Sequence, residues 1–307
     1  REDILAALDQ LQAGGSTAGS AGIQLAYETA QKYFRTDGNN RVIMATDGDF
    51  NVGPSSDGEL VRMIEEKRKA GIYLTVLGYG MGNYKDAKME QLADKGNGNY
   101  AYIDSLLEAR KVLVQEMGGT LQTIAKDVKL QLEFNPAKVA SYRLIGYENR
   151  LLRNEDFEDD TKDAGELGAG TTVTALYEIV PGTGKGPDLR YQQTTVRPEA
   201  QGSNELLTVK LRYKPPTADT SKLLSQVVQD QPQAWTAVPA DFRFAAAVAG
   251  FGMQLRKSEF KGAWNMEDVI AQARQGLGDD TEGYRAAFVT LAQKSQSLVS
   301  ASPETTR

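Results

Sequence analysis

The chain has 307 residues, 40% of them hydrophobic and 25% charged, which is typical of a globular protein with two or three domains. Its net charge of −6 argues against nucleic acid as a partner, because phosphate groups are bound by a basic face. The sequence contains no cysteine and no histidine, which excludes Ser–His–Asp triads, Cys–His nucleophile pairs and Cys/His zinc sites. The remaining chemistry is that of carboxylate and hydroxyl oxygens, which suit Mg²⁺, Mn²⁺ or Ca²⁺.

The chain starts at Arg1 rather than at methionine, within a helical pattern. We therefore expect the native N-terminus to lie upstream, and the lack of a signal peptide carries no information about location. No stretch approaches the roughly eighteen consecutive apolar residues of a transmembrane helix, so the sequence predicts no membrane span in this chain.

Residues 1–118 alternate helical and strand patterns, which is typical of a doubly wound, mostly parallel α/β sheet. The apolar run RVIMAT at 41–46 predicts a strand that is covered on both sides, and the runs at 72–80 and 99–104 predict two more. The helix predicted over GIQLAYETAQKYF places five residues on one face: Ile23, Ala26, Tyr27, Ala30 and Phe34.

Residues 119–238 are predicted to form a β-rich domain. Apolar and polar residues alternate at 127–134, 171–181 and 205–216, a period of two that is typical of an antiparallel sandwich or half-barrel. The predicted apolar faces of the first and third runs are Val128, Leu130, Leu132 and Phe134, then Leu207, Val209, Leu211 and Tyr213. The acidic segment EDFEDDTKDAGE at 155–166 is interpreted as a solvated loop.

Residues 239–307 are predicted to form a helical segment. FRFAAAVAGFGMQL at 242–255 is apolar on nearly all sides, so we expect a buried helix there. Asn265 is a candidate N-cap for the next helix. The last helix should carry an apolar stripe of Tyr284, Phe288, Leu291 and Leu298.

Two polar residues are candidates for a site in the first region. Thr17 lies in the glycine-rich segment GGSTAGSAGI at 14–23, which opens a helix, and Asp47 directly follows the strand 41–46. In an open parallel sheet, ligands bind at the carboxyl ends of the strands, where both positions fall. A hydroxyl and a carboxylate there would be two hard oxygen ligands for a divalent cation. The alternative, in which Thr17 caps its helix and Asp47 begins a turn, stays open on spacing alone.

The segments GGSTAGSAGI and ATDGDFNVG resemble the von Willebrand factor type A (VWA) domain over residues 1–118. The tail resembles a bacterial subfamily in which this domain precedes an uncharacterised C-terminal domain, through DVKLQLEFNPAKVASYRLIGYENRLL and GDDTEGYRAAFVTL. The resemblance implies a non-enzymatic protein-binding module with a metal-ion-dependent adhesion site for Mg²⁺ or Mn²⁺. Thr17 matches its second motif and Asp47 its third. It further implies a partner protein that binds through an Asp or Glu carboxylate, and a cell-envelope location, periplasmic or surface-anchored.

The first motif of that adhesion site, Asp-x-Ser-x-Ser, occurs nowhere in the 307 residues. We therefore expect the chain to begin after this motif and to lack the first strand of the domain. An incomplete ligand set predicts weak or absent cation binding by this chain alone. The strand 41–46 is then expected to expose an unpaired apolar edge.

Other interpretations start from the same acidic stretch. DGDFN at 47–51 resembles the Asp-x-Asp motif of haloacid-dehalogenase-type phosphotransferases, with Asp47 as nucleophile and Asp49 as general acid, and GDD at 278–280 imitates a later acidic pair. Asn51 departs from that motif. A third possibility is a metal-independent structural scaffold.

Three further motifs are weaker. An EF-hand loop starting at Asp47 would need glycine and glutamate where Val52 and Gly58 stand. GYGMG at 78–82 lacks the spacing of a dinucleotide-binding loop, and GTGKGP at 182–187 lacks the Ser or Thr that follows the lysine of a phosphate-binding loop. Both are interpreted as turns.

Overall fold

The computed structural model describes residues 1–11, 19–48, 57–82, 84–147, 151–183 and 196–301. The chain divides into two compact units, each built from three segments. The first unit comprises Arg1–Val128, Thr161–Thr171 and Tyr213–Lys222, and the second comprises Lys129–Asp160, Thr172–Arg212 and Leu223–Arg307.

Ten α-helices and nine strands lie in the described ranges. The helices are α1 Glu2–Asp9, α2 Gly19–Lys32, α3 Asp57–Lys69, α4 Asp86–Lys95, α5 Leu106–Arg110, α6 Met117–Leu121, α7 Pro198–Gln201, α8 Ala240–Leu255, α9 Met266–Gln275 and α10 Tyr284–Ala301. The strands are β1 Asn40–Thr46, β2 Ile72–Gly78, β3 Tyr100–Tyr102, β4 Thr123–Phe134, β5 Val139–Ile145, β6 Gly165–Gly168, β7 Leu176–Pro181, β8 Glu205–Lys214 and β9 Lys222–Gln229. No described helix is long and apolar enough to cross a membrane.

The first unit contains a parallel sheet with the order β1-β2-β3, as the alternating pattern predicted. Helices α2, α3 and α4 pack on it around one core, because their apolar residues recur at helical spacing. The buried side chains of this core are Ile23, Tyr27, Val42, Leu60, Ile64, Ile72, Leu74, Val76, Met89, Leu92 and Ala93. The sheet and its core fix the position of the loops at its carboxyl edge.

Two details of this unit differ from the prediction. Strand β2 is buried along most of its length, but β1 lies at the end of the described sheet, and Ile43 is 42% exposed. The expectation that 41–46 is covered on both sides is therefore wrong, because the described part of the chain covers one face only. Phe34 lies beyond the end of α2 and is also exposed, so it does not extend the buried face of that helix.

A four-stranded sheet has the order β6-β4-β8-β9, and β5 pairs with β7 in an antiparallel ladder. The antiparallel pairing of β4 with β6 shifts register between Ala125 and Val128, and Asp127 has a left-handed φ of 49°. The alternation in β4 is consequently displaced. Leu130 is exposed, whereas Lys129 is buried and donates from Nζ to the carbonyls of Asp156 (3.1 Å) and Asp159 (2.5 Å). The predicted inward face of β4 is wrong at Leu130 for this reason.

Helices α8, α9 and α10 form a second core in the second unit. Its buried residues are Ala247, Phe251, Val269, Ile270, Ala273, Val289 and Ala292. Asn265 caps α9 as predicted, because its side chain accepts from the backbone of Asp268 at 3.0 Å and the Asp268 carboxylate accepts from the backbone of Asn265.

The buried faces of two of these helices differ from the prediction. Helix α8 is not buried on all sides, since Phe242, Val248 and Leu255 are exposed. In α10, Leu291 and Leu298 are exposed, so the predicted stripe is wrong at these positions. Small residues such as Ala292 face the core instead and allow the helices to approach closely.

Candidate functional site

The candidate site lies at the carboxyl edge of the parallel sheet. The register aligns Thr46 at the end of β1 with Gly78 at the end of β2, and Gly78 with Tyr102 at the end of β3. Asp47 follows β1 directly, and its side chain is exposed. The structure therefore places this carboxylate on the edge where parallel sheets bind their ligands.

Two tight turns frame Asp47. Gly48 has φ +85° and donates from its backbone N–H to Thr46 Oγ1 at 3.1 Å, which turns the chain sharply after β1. Gly80, in the loop after β2, has φ +96°, and a Cβ there would lie 3.6 Å from Asp47 Cβ. The two loops thus pass side by side. In the GYGMG segment, Gly78 ends β2 and the following residues belong to the loop.

A tyrosine network holds the loop after β2. Tyr102 Oη donates to the carbonyl of Gly80 at 2.6 Å, and Tyr84 packs edge-on against Tyr102 with ring centroids 4.7 Å apart. Tyr84 and Tyr100 share a short hydroxyl–hydroxyl hydrogen bond, and Tyr100 Oη donates to the Asp86 carboxylate. These contacts fix the loop that flanks Asp47. They were not predicted from the sequence, although three tyrosines close to the ends of β2 and β3 were a usable signal.

Of the two predicted ligands, Thr17 falls at 12–18, outside the described residues. Asp49, the second residue of the phosphotransferase interpretation, also lies outside them, as do Asn51 and Val52. Within the described ranges, no group of three or more carboxylates gathers as a metal cluster. Of the two predicted metal ligands, Asp47 is the one that lies among the described residues.

The other acidic motif of the phosphotransferase interpretation has a structural role. In the GDD segment, Asp280 accepts from the backbone N–H groups of Arg285 (3.0 Å) and Ala286 (2.8 Å), at the beginning of α10. A carboxylate in this position stabilises the helix N-terminus. The GTGKGP segment lies partly within 184–195, outside the described residues.

The acidic segment 155–166 is only partly the solvated loop that composition predicted. Asp156 is 8% exposed, and Arg153 donates to its carboxylate at 2.9 Å. The neighbouring Phe157 is 4% exposed. The apolar ring and the ion pair explain why this part of the segment is buried.

The same segment ends at Glu166, which belongs to a polar cluster that the sequence did not reveal. Asn97 Nδ2 donates to Glu166 Oε1 at 2.9 Å, whereas Oε2 is shielded from solvent and has no hydrogen-bond partner among the described residues. Nearby, Arg68 donates to Asp163 at 2.6 Å. Burial, followed by the charges of Asp127 and Asp163, raises the pKa of Glu166 to about 8.

Glu166 should make the stability of the chain depend on pH. With the pKa raised, the folded state keeps a proton that the unfolded chain loses, so stability falls as pH rises from about 4.5 to about 8. Glu166→Gln cannot ionise and should lack this fall. We expect the variant to gain on the order of 4 kcal/mol relative to wild type between about pH 5 and pH 8.5, measured by urea unfolding.

The exposed Glu259→Gln is the control and should follow the wild-type pH profile. If Glu166→Gln and wild type gave parallel pH profiles, the carboxyl group would not be protonated in the folded state, and this description of the cluster would be wrong.

The family comparisons cover nearly the whole chain. The family model of the von Willebrand factor type A domain matches residues 1–116, and the model described as the C-terminal domain of uncharacterized protein YfbK matches residues 119–298. The chain belongs to the family of VWA proteins with a YfbK-type C-terminal domain. This assignment confirms the resemblance and supports a protein-interaction or adhesion module.

The comparisons also found one relative by sequence and two solved structures with partial similarity to this chain. The chain is 43% identical over 295 residues to uncharacterized protein YfbK of Escherichia coli strain K12. The matched residues make up 95% of this chain and 51% of that relative. The chain therefore spans about half the length of that relative. Conserved hypothetical protein BatB from Bacteroides thetaiotaomicron has 20% identity and a TM-score of 0.30, over 36% of this chain and 64% of that one. Human COPII-coat protein Sec24c has 11% identity and a TM-score of 0.36, over 83% of this chain and 34% of that one.

Proposed function

We propose that the VWA domain is a divalent-cation-dependent protein-binding module. In the intact protein, Thr17 and Asp47 are two oxygen ligands of Mg²⁺ or Mn²⁺, and a carboxylate from an Asp or Glu of the partner protein completes the coordination. The observation that carries the proposal is the exposed carboxylate of Asp47 at the carboxyl edge of a parallel sheet, framed by two glycine turns.

The chemistry of the available side chains supports an ion of this type. Without histidine or cysteine, the chain offers oxygen ligands, which Mg²⁺ and Mn²⁺ prefer. A bound cation at Asp47 would supply a positive charge that attracts an anionic ligand. The Gly80 turn lies against Asp47, because a Cβ at position 80 would be 3.6 Å from the Asp47 Cβ.

The chain alone should bind the cation weakly. A divalent cation takes about six oxygen ligands, and Thr17 and Asp47 supply two. Because the Asp-x-Ser-x-Ser motif is not among the 307 residues, water has to fill most of the remaining positions. Isothermal titration of Mg²⁺ or Mn²⁺ into the chain should give a dissociation constant of about 10⁻³ M or weaker. A micromolar constant would show that the ligand set is more complete than proposed.

Assays of Asp47→Asn separate the proposal from the two alternatives. A phosphotransferase would hydrolyse p-nitrophenyl phosphate in the presence of Mg²⁺ and lose that turnover on substitution. The binding module should show no turnover in either form. A scaffold that acts without metal would give the same titration heats for wild type and Asp47→Asn, and Asp104→Asn, on the loop after β3, is the matched control.

A further inference from the structure

Strand β9 forms one end of the four-stranded sheet, and among the described residues it is hydrogen-bonded to β8 only. All eight of its residues are exposed, including four large apolar ones. These are Leu223 at 49%, Leu224 at 55%, Val227 at 37% and Val228 at 38%. Edge strands are usually protected by proline, by a bulge or by charges within the strand. Here Lys222, at the first position, is the only charged residue of the strand.

We propose that β9 is a self-association edge, where two copies of this chain pair antiparallel about a two-fold axis at Gln226 and join their four-stranded sheets. In such a pair, the two-fold axis is perpendicular to the sheet, so directly opposite residues lie on the same face. Gln226 of one copy then lies opposite Gln226 of the other. A residue that precedes Gln226 by a given number of positions lies opposite the residue of the second copy that follows Gln226 by the same number.

One face of the strand is complementary in this register, whereas the other face pairs Leu223 with Gln229 and Ser225 with Val227. Leu224 lies opposite Val228 of the second copy, and Lys222 lies opposite Asp230, which directly follows the strand. Because of the symmetry each pair occurs twice, so one face carries two apolar pairs flanked by two opposite-charge pairs. The side chain of Asp230 is 36% exposed while it accepts from Lys138 at 3.0 Å, so its carboxylate is accessible to a second cation.

Moving the axis by one residue removes this complementarity. With Ser225 opposite its own copy, Lys222 would face Val228, and Leu224 would face Gln226. A charge would then meet an apolar side chain at both ends of the pair. Charge complementarity therefore selects the register centred on Gln226. It also favours a second copy over an unrelated strand, which would not reproduce the pattern.

The proposal is tested by introducing opposite charges at Leu224 and Val228, which lie opposite each other in the proposed pair. Sedimentation equilibrium of the full chain should give a dimer, twice the 33.4 kDa chain mass. Leu224→Lys or Val228→Glu alone should raise the dimer dissociation constant at least tenfold, because each places a charge opposite an apolar residue twice. The double variant should restore the dimer, since the introduced lysine of each copy would face the introduced glutamate of the other. Both positions are exposed, so neither change should unfold the chain.

Leu106→Lys, at a 90% exposed position on α5, is the control and should leave the dimer unchanged. A wild-type chain that remains monomeric would overturn the proposal. So would a dimer that both single variants retain, because another surface would then be responsible. Failure of the double variant to restore a dimer lost in the single variants would rule out the Gln226 register.

Discussion

Leu74→Ala should lower the free energy of unfolding of the first unit by about 3–4 kcal/mol. Leu74 is fully buried in β2, the strand that lies between β1 and β3, and it belongs to the core shared with helices α2 to α4. Removing its three outer carbon atoms would lose apolar burial and leave a cavity in a region where the sheet and the helices cannot easily close up. Urea unfolding followed by circular dichroism measures the loss.

Leu106→Ala is the matched control for this prediction. Leu106 is 90% exposed, so its truncation should change the stability by less than about 0.5 kcal/mol. Equal effects of the two substitutions would contradict the placement of β2 at the centre of the core.

Gly98→Ala should destabilise the first unit by about 4 kcal/mol or more. A Cβ at position 98 would lie 1.7 Å from the carbonyl oxygen of Leu74. That oxygen is part of the backbone of β2, so no side-chain rotation relieves the overlap. The segment between α4 and β3 would have to move, and with it the hydrogen bond from Val76 N to Asn99 O, which is now 2.9 Å.

Gly22→Ala provides the comparison for the effect of the methyl group itself. Gly22 is exposed in α2, and a Cβ there would meet nothing within 4 Å. Alanine favours the helix, so this variant should gain about 0.5–1 kcal/mol. If Gly98→Ala were as harmless as Gly22→Ala, the close approach to Leu74 would be incorrect.

The sequence was sufficient to predict the parallel sheet and the position of Asp47. A short, continuous apolar run such as the one in β2 is typical of a buried strand in a parallel sheet. In such a sheet, the loops that follow the strands lie at one edge, which is why the position of Asp47 was predictable. Phe34 and Leu291 were placed inward incorrectly because spacing shows which residues share a face and not where the neighbouring elements lie.

The antiparallel region was less predictable. Burial of Lys129 depends on a register shift and on two carbonyls about thirty residues away in the chain, neither of which leaves a local signal. Strand β9 was not predicted, because the doublets Leu223–Leu224 and Val227–Val228 interrupt the period of two. The raised pKa of Glu166 likewise depends on contacts between distant segments.

Paramagnetic relaxation by Mn²⁺ tests most directly whether Asp47 is a cation ligand. Trace Mn²⁺ broadens amide signals close to the ion, so it locates even a weak site. The proposal predicts selective broadening of the amide signals of Gly48, Gly80 and Met81 in the wild-type chain, and its loss in Asp47→Asn. Broadening that persists at these amides in Asp47→Asn, or that centres on another part of the chain, would contradict a cation site at Asp47.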